Sequence, residues 1–200
     1  SVGIDVANVL SLLFSFGAAS VGVFATTYFV HSCRPDVIFG PIRATLAHFY
    51  LVALGIIVLL VALAVLPPWG FDEPLIANRV FWPWLLVLPI ALISVLIQTS
   101  AEEILFRGYL QQQLGARFSS PWIWMVLPSV LFGFAHYDPQ GAGENAWIVV
   151  AWATFFGIAM ADLTARAGNL GPALAVHFVN NITALLIVAM PDEFGAAALF

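Results

Sequence analysis

Two adjacent carboxylates stand at the end of a long apolar run. The run begins at Phe81 and ends at Glu102 and Glu103, and Arg107 follows four residues after Glu103. A charged side chain at membrane depth is unfavourable by about 2.5 to 3.5 kcal/mol on insertion scales, so its presence usually marks chemistry or transport. The pair is therefore a candidate for proton transfer inside a membrane.

Two later apolar segments add groups that can bind water. Phe132 precedes His136 by four residues, and His177 precedes Asn181 by four residues. Single polar residues in apolar helices usually form hydrogen bonds between helices, but two acids and two histidines in one short chain favour an enzyme that activates water. The predicted catalytic residues are Glu102, Glu103, Arg107, His136, His177 and Asn181.

The composition is that of a membrane protein. Hydrophobic residues make up 62% of the chain, charged residues make up 8%, and the mean hydropathy is +1.00, whereas soluble domains are about a quarter charged. We predict one all-α domain over residues 1–200, a polytopic transmembrane bundle whose catalytic core covers about 81–190. The expected partners are the lipid bilayer and a membrane-associated peptide or protein substrate, and no nucleic acid is expected.

Six segments approach or exceed the length of about 20 apolar residues that a membrane-spanning helix needs. The first has no basic region before it, so it is expected to be a span and not a removable signal peptide. The fourth is short and contains Pro128. Gly168 is expected to cap the fifth and Pro172 to lie in the first turn of the sixth. The predicted spans are Val6–Val30, Ala44–Leu66, Phe81–Ser100, Pro121–Tyr137, Ala146–Ala165 and Gly171–Met190.

The arginines predict a topology. All six cations are arginine, and five of them lie in the connections that follow spans one, three and five. By the positive-inside rule these connections are cytoplasmic, so both ends of the chain are predicted to lie outside and the site to open toward the cytoplasm. The lysine-free, alanine-rich composition indicates a bacterial gene and hence the inner membrane. The five are Arg34, Arg43, Arg107, Arg117 and Arg166, and Arg79 is the exception.

Helical periodicity places the polar groups relative to one another. Glu103 and Arg107 can pair on one helix face, whereas Glu102 points about 100° away. If spans three and four turn near 118–120, Glu102 and His136 each lie about 24 Å from that turn. His177 lies only about 10 Å from its own turn, so the 117–120 turn must project about 14 Å farther. The polar lower part of helix three permits this.

We therefore expect four of these residues to converge on one water-accessible cavity that opens toward the arginine-rich face. These residues are Glu102, His136, His177 and Asn181. For the remaining reactive side chains we expect structural roles and no part in catalysis. His31 and His48 are expected at the membrane interface, Asp162 and Arg166 are expected to form a salt bridge across one helical turn, and the single cysteine, Cys33, excludes an intrachain disulfide.

The motifs resemble those of a known family of intramembrane endopeptidases. Glu102-Glu103-Ile-Leu-Phe-Arg107 is similar to the EExxxR motif of the CAAX protease and bacteriocin-processing family, which includes the Ras-converting enzyme and the Abi proteins. Phe132-Gly-Phe-Ala-His136 resembles its FxxxH motif, and His177-Phe-Val-Asn-Asn181 its HxxxN/D motif. The resemblance covers about Phe81 to Met190.

The resemblance implies hydrolysis of a peptide bond by a glutamate-activated water, without a covalent acyl-enzyme. It makes Glu102 the general base, His136 and His177 the residues that hold or polarise the water, and Asn181 the oxyanion donor. Glu103 and Arg107 become the pair that orients Glu102. The substrate stays open between a prenylated C-terminal CAAX peptide, a bacteriocin precursor, a leader peptide and another membrane-proximal peptide.

Two further questions stay open at the level of sequence. Glu102, His136 and His177 could bind Zn²⁺ with an open position for water, in which case Glu103 is a candidate base, although the chain has no HExxH motif. The rival functions are a non-catalytic scaffold or immunity protein on the same fold and a proton-coupled transporter. The intact motifs argue against the first. The second predicts inverted repeats or broken helices, which the sequence does not show.

Overall fold

The described part of the chain is helical, as predicted. The structure, a computed structural model, describes residues 6–67, 76–188 and 197–200, and this part contains no strand. Short 3₁₀ turns occur at Pro35–Phe39 and Gly143–Asn145. The six main helices are α1 (Val6–Phe29), α2 (Ile42–Val65), α3 (Phe81–Gly115), α4 (Trp122–Ala135), α5 (Ala146–Ala167) and α6 (Gly171–Ile187).

Each predicted span coincides with one helix, but the helices differ in length. Four of them, α1, α2, α3 and α5, are long and apolar enough to cross a membrane, whereas α4 and α6 fall in the range of 10–17 residues. At 1.5 Å per residue a helix of that range is at most about 26 Å long, less than the roughly 30 Å of a bilayer core. The predicted end of the sixth span, Met190, lies outside the described residues.

Helix α3 is the centre of the bundle. It contacts α1, α4, α5 and α6, and it continues well past the predicted end at Ser100 to Gly115, with a π-helical stretch at Ile104–Gln111. Leu170, at the start of α6, packs close to Gly108, so α3 extends about 10 Å beyond that level. The prediction that the 117–120 turn projects farther than the turn before α6 is therefore confirmed in its direction.

Helices α1 and α2 flank this centre in different ways. Helix α1 is interrupted at Phe16, and its first half packs through Val9 and Leu13 against Ala91 and Val95 of α3. Helix α2 packs mainly on α6 and leaves the rest of its apolar surface exposed, with no residue of its most apolar 18-residue window buried. An all-round apolar helix with so little protein contact is suited to lipid.

Helices α4 and α5 form an antiparallel hairpin that depends on glycine. A Cβ atom on Gly133 would collide with Oγ1 of Thr154 and lie 2.7 Å from the carbonyl oxygen of Val150. A Cβ atom on Gly157 would lie 3.0 Å from Cβ of Ser129. These two glycines let the helix backbones approach closely, as small residues do between membrane helices. The hairpin fixes the position of His136, which follows the last residue of α4.

The turn between α5 and α6 forms as predicted. Gly168 ends α5 with a positive φ of 65°, and Pro172 lies in the first turn of α6. Asp162 and Arg166 form the predicted exposed salt bridge, at 2.7 Å.

The two peripheral histidines make contacts that the interfacial interpretation did not include. Nε2 of His31 lies 2.9 Å from the Tyr109 hydroxyl, and Nδ1 of His48 lies 2.9 Å from Nδ2 of Asn169. These hydrogen bonds tie the segment after α1 to α3, and α2 to the α5–α6 turn.

Candidate active site

Glu103 and Arg107 form the predicted pair, and the pair is sealed from solvent. Nη1 of Arg107 donates to Oε1 of Glu103 at 3.1 Å, and the side chains are 2% and 0% exposed. Nη2 of Arg107 donates to the carbonyl oxygen of Gly157 at 3.1 Å, and its guanidinium carbon lies 4.5 Å from the centre of the Phe132 ring. A buried ion pair needs such additional partners to offset desolvation. The pair therefore joins α3 to α5.

His177 lies between the two adjacent carboxylates. Its Nδ1 is 2.7 Å from Oε1 of Glu103, and its Nε2 is 3.4 Å from Oε2 of Glu102. Because an ionised carboxylate can only accept, Nδ1 carries a proton and donates it to Glu103. This contact fixes the ring so that Nε2 faces Glu102. Although Glu102 and Glu103 point in different directions from α3, one imidazole from α6 contacts both.

Gln98 is a site residue that the sequence analysis missed. Its Nε2 donates to Oε1 of Glu102 at 2.6 Å, and its Oε1 accepts a hydrogen bond from Nδ2 of Asn181 at 2.9 Å. The side chain is buried, and it links the predicted base to the predicted oxyanion donor. A glutamine one helical turn before Glu102 in an apolar run was the available signal, because residues four apart share a helix face.

His136 lies at the end of α4 with one nitrogen engaged. Its Nδ1 is 2.8 Å from the carbonyl oxygen of Phe132, and because a carbonyl only accepts, Nδ1 carries the proton and Nε2 has a free lone pair. The Phe132 ring centre lies 4.5 Å from that of His136 and 5.9 Å from that of His177. Phe132 therefore packs against both histidines, which explains the aromatic residue of the FxxxH motif.

A cavity of about 630 Å³ contains three of the four residues predicted to converge. Glu102, His136 and Asn181 line it together with Gln98. His177 is not part of the lining and lies behind Glu102, so the predicted convergence is met by three side chains directly and by the fourth through Glu102. Most of the remaining wall is apolar and comes from α1, α3, α4, α5 and α6.

The cavity extends toward the connection between α4 and α5. Asp138, Gly141 and Ala142 of that connection line it, and none of the arginine-bearing turns does. This differs from the predicted opening toward the arginine-rich face. The physical reason is the shortness of α4, which ends at the level of Glu102 and leaves the polar connection beside the site. A separate cavity of about 520 Å³ on the arginine side is lined by Arg107, Gln111 and Thr164.

The predicted zinc ligands are only partly arranged around one point. Glu102 Oε2 and His177 Nε2 are 3.4 Å apart, and two ligand atoms on a tetrahedral zinc ion lie about 3.4 Å apart. Within the described residues, however, no three His, Cys, Asp or Glu side chains are placed to share one ion. His136, the predicted third ligand, keeps Nε2 available, because its Nδ1 is bonded to the carbonyl oxygen of Phe132. The residues as arranged do not fit a three-ligand site.

The membrane-type helical bundle carries a buried carboxylate–histidine site, and comparison with known proteins identifies the family. Residues 80–183 match the family described as type II CAAX prenyl endopeptidase Rce1-like. The match covers more than half of the chain, which therefore belongs to this family. The resemblance drawn from the motifs is confirmed.

Two relatives from Bacillus subtilis (strain 168) are uncharacterized proteins. YyaK is 32% identical over 127 residues, which are 62% of this chain and 41% of YyaK. YpbD is 26% identical over 171 residues, which are 84% of this chain and 80% of YpbD. The chain thus spans less than half of the length of YyaK and most of the length of YpbD. No solved structure matches the chain.

Proposed function

We propose that this protein is an intramembrane endopeptidase that hydrolyses a peptide bond of a membrane-associated protein or peptide through a water activated by Glu102. The observation that supports this best is that Glu102, His136 and Asn181 line one cavity together. Gln98 forms hydrogen bonds with both Glu102 and Asn181. A base, a water-binding imidazole and an amide donor around a single cavity are the parts that water attack on a carbonyl needs.

In the proposed reaction, the water gives a proton to Glu102 while its oxygen bonds to the carbonyl carbon of the scissile peptide. Nε2 of His136 accepts a hydrogen bond from the other O–H of the water and so orients the water. The carbonyl oxygen becomes negative and accepts a hydrogen bond from Asn181, whose Nδ2 has a second hydrogen beyond the one given to Gln98. Glu102 then returns the proton to the departing nitrogen as the carbon–nitrogen bond breaks.

The solvent exposure of the two adjacent carboxylates favours Glu102 as the base. The side chain of Glu102 is 11% exposed and borders the cavity, whereas that of Glu103 is 0% exposed and holds Arg107 and His177. In this proposal His177 is fixed by Glu103, and its Nε2 edge lies 3.4 Å from Oε2 of Glu102, where it limits the positions that the carboxylate can take. Such outer partners orient the reactive group without contacting the substrate.

Zinc at Glu102, His136 and His177 stays a prediction, and the proposed step does not use it. Metal analysis of the purified protein, with Glu102→Gln as the comparison, tests it directly. Stoichiometric zinc in the wild type and none in the variant would support a site that includes Glu102.

Cleavage of a membrane-associated reporter peptide by the purified chain tests the function. We expect turnover by the wild type and loss of turnover in Glu102→Gln. The matched control is Glu144→Gln, the same isosteric change at an exposed acid outside the cavity lining, which should keep wild-type activity. Equal turnover by Glu102→Gln and wild type would contradict the proposal.

A further inference from the structure

We propose that Arg107 and Phe132 form a barrier to water and ions between two cavities that enter the bundle from its opposite ends. This role goes beyond any part of the two residues in catalysis, and it does not depend on the proposed function. It follows from the residues that line the two cavities, from the short distance between the cavities and from the contact between the two side chains.

The two cavities lie at opposite ends of helix α4. The catalytic cavity, the one of about 630 Å³ that Glu102 lines, is bordered by Asp138 of the connection after α4. The arginine-side cavity, the one of about 520 Å³, is bordered by Phe118 and Ser119 of the connection before α4 and by Gly168 of the α5–α6 turn. Because α4 separates these two connections, the cavities reach into the bundle from its two ends.

The lining of the arginine-side cavity is suited to water. Gln112 and Ser119 are exposed residues of this lining, and Gln111 and Thr164 are buried ones. Oε1 of Gln111 and Oγ1 of Thr164 have no hydrogen-bond partner within the described residues. Buried polar atoms without a protein partner are normally satisfied by water. We therefore expect water to enter from this end of the bundle as far as Gln111 and Thr164.

The two cavities come close together along α3. Glu102 lines the catalytic cavity and Arg107 lines the arginine-side cavity, and the five-residue step between them is about 7.5 Å along a helix. The hydrocarbon core of a bilayer is about 30 Å thick. Water in both cavities therefore leaves only a thin layer of protein between the two aqueous phases. Most of the membrane potential would fall across that layer, and a leak there would dissipate it.

Arg107 and Phe132 are in contact across this layer. Phe132 lines the catalytic cavity, Arg107 lines the arginine-side cavity, and both side chains are almost fully buried. The guanidinium carbon of Arg107 lies 4.5 Å from the centre of the Phe132 ring, a separation that leaves no room for a water molecule between them. At this point the layer is one guanidinium group and one aromatic ring thick.

The two side chains oppose permeation in different ways. The ring of Phe132 offers an ion no hydrogen bonds in place of those it would lose with water, and such desolvation is costly. The guanidinium group of Arg107 is a positive charge held in place by Glu103 and by the carbonyl oxygen of Gly157. A fixed arginine repels protons and cations in water-filled pores, and it does not pass on its own protons, because arginine is not deprotonated in proteins.

Proton flux across vesicle membranes tests the barrier. The full chain and its Phe132→Ala variant are reconstituted into phosphatidylcholine vesicles that contain the pH-sensitive dye pyranine, and the decay of an imposed proton gradient is measured. We expect the wild type to be as tight as protein-free vesicles. The variant should leak about tenfold faster or more, which corresponds to a barrier lowered by about 1.4 kcal/mol. No peptide is cleaved in this measurement, so its result is independent of the proposed function.

Two further variants assign the barrier to these side chains. Phe134→Ala removes an exposed ring from the same helix, outside the lining of both cavities, and its vesicles should stay as tight as those of the wild type. Arg107→Gln keeps an amide that can donate a hydrogen bond but removes the charge, and its vesicles should leak. Equal leaks in Phe132→Ala and Phe134→Ala, or a folded Phe132→Ala protein as tight as the wild type, would overturn the inference. A folded and tight Arg107→Gln protein would overturn the role given to Arg107.

Chemical replacement of the ring distinguishes an open path from a loosened fold. Phe132→Cys is made in a Cys33→Ser background, because Cys33 is the single cysteine of the chain. Vesicles with this protein should leak. Reaction of the thiol with benzyl methanethiosulfonate attaches an aromatic ring at position 132 and should restore the tightness of the wild type. A leak that persists after complete modification would overturn the inference.

Discussion

The side-chain amide of Asn181 donates to the side-chain oxygen of Gln98 at 2.9 Å, across the interface between α6 and α3. This bond fixes which way the Gln98 amide faces, so that its nitrogen is free to donate to Glu102 at 2.6 Å. The orientation of the predicted base thus depends on an asparagine from another helix. Gln98 and Asn181 therefore hold each other in one orientation.

Replacing Gln98 by Leu should lower kcat by about tenfold or more with little change in KM. The change removes both hydrogen bonds and leaves a buried carboxylate oxygen short of a partner, while the volume stays similar. Steady-state kinetics on a reporter peptide measure kcat and KM separately. Gln113→Leu on the same helix, outside the cavity lining, should behave as the wild type. A fully active Gln98→Leu variant would show that Glu102 needs no such support.

The adjacent glutamates provide mutual controls. Glu102→Gln should lose roughly a hundredfold or more in turnover and stay folded, because it retains size and much of its hydrogen bonding. Glu103→Gln should instead lower the midpoint of thermal unfolding, because Arg107 is left buried with no full counter-charge. Activity and thermal unfolding are measured on both variants. A stable, inactive Glu103→Gln beside an active Glu102→Gln would exchange the two roles.

Arg107→Ala should destabilise the protein by about 3 to 5 kcal/mol, since breaking a buried ion pair leaves a desolvated charge behind. The carbonyl of Gly157 also loses its donor. Equilibrium unfolding in mixed micelles measures the free energy of unfolding. Arg166→Ala removes an arginine from an exposed pair on α5 and should leave that free energy nearly unchanged. Equal stability of the two variants would mean that the buried pair is not a structural link.

Gly133→Ala should separate α4 from α5 and cost about 1 to 3 kcal/mol, as overpacking does. The new methyl group would meet Thr154 and the backbone of Val150, and His136 would move with the end of α4. Turnover should fall with stability. Gly22→Ala is the matched control, because nothing lies within 4 Å of its added methyl group, and alanine favours a helix interior. A drop in stability in Gly22→Ala of the same size would remove the packing explanation.

Features that depend on local spacing could be predicted from the sequence. The six helices coincide with the apolar segments, and the pair of Glu103 and Arg107 follows from residues four apart on one helix. The αL cap at Gly168 and the proline at the start of α6 follow from backbone preferences of single residues. In each case the interacting groups are neighbours along the chain.

Features that depend on how the helices are placed against one another could not be predicted. The link from Gln98 to Asn181 and the position of His177 between two glutamates require the axial offset of α6 relative to α3. The direction of the cavity depends on the depth that α4 reaches, and this depth follows from packing on α5 through Gly133 and Gly157. Hydropathy predicts the length of a span but not the depth at which the neighbouring helix ends. The orientation of the chain in the membrane stays a prediction from the arginines.

The π-helical stretch from Ile104 to Gln111 gives α3 one place at which the loss of a residue can be absorbed. A π turn closes its hydrogen bonds over one residue more than an α turn, so the loss of a single codon there would restore an α-helix. Residues downstream would then keep their faces instead of rotating by about 100°, as they would after a deletion in an α-helical stretch, and Gln111 would stay close to the carbonyl of Ala161 that it now contacts. Glu102 and Glu103 lie upstream and would keep their direction. A one-residue deletion in this stretch is therefore expected to preserve the contact of α3 with α5 as well as the two acids.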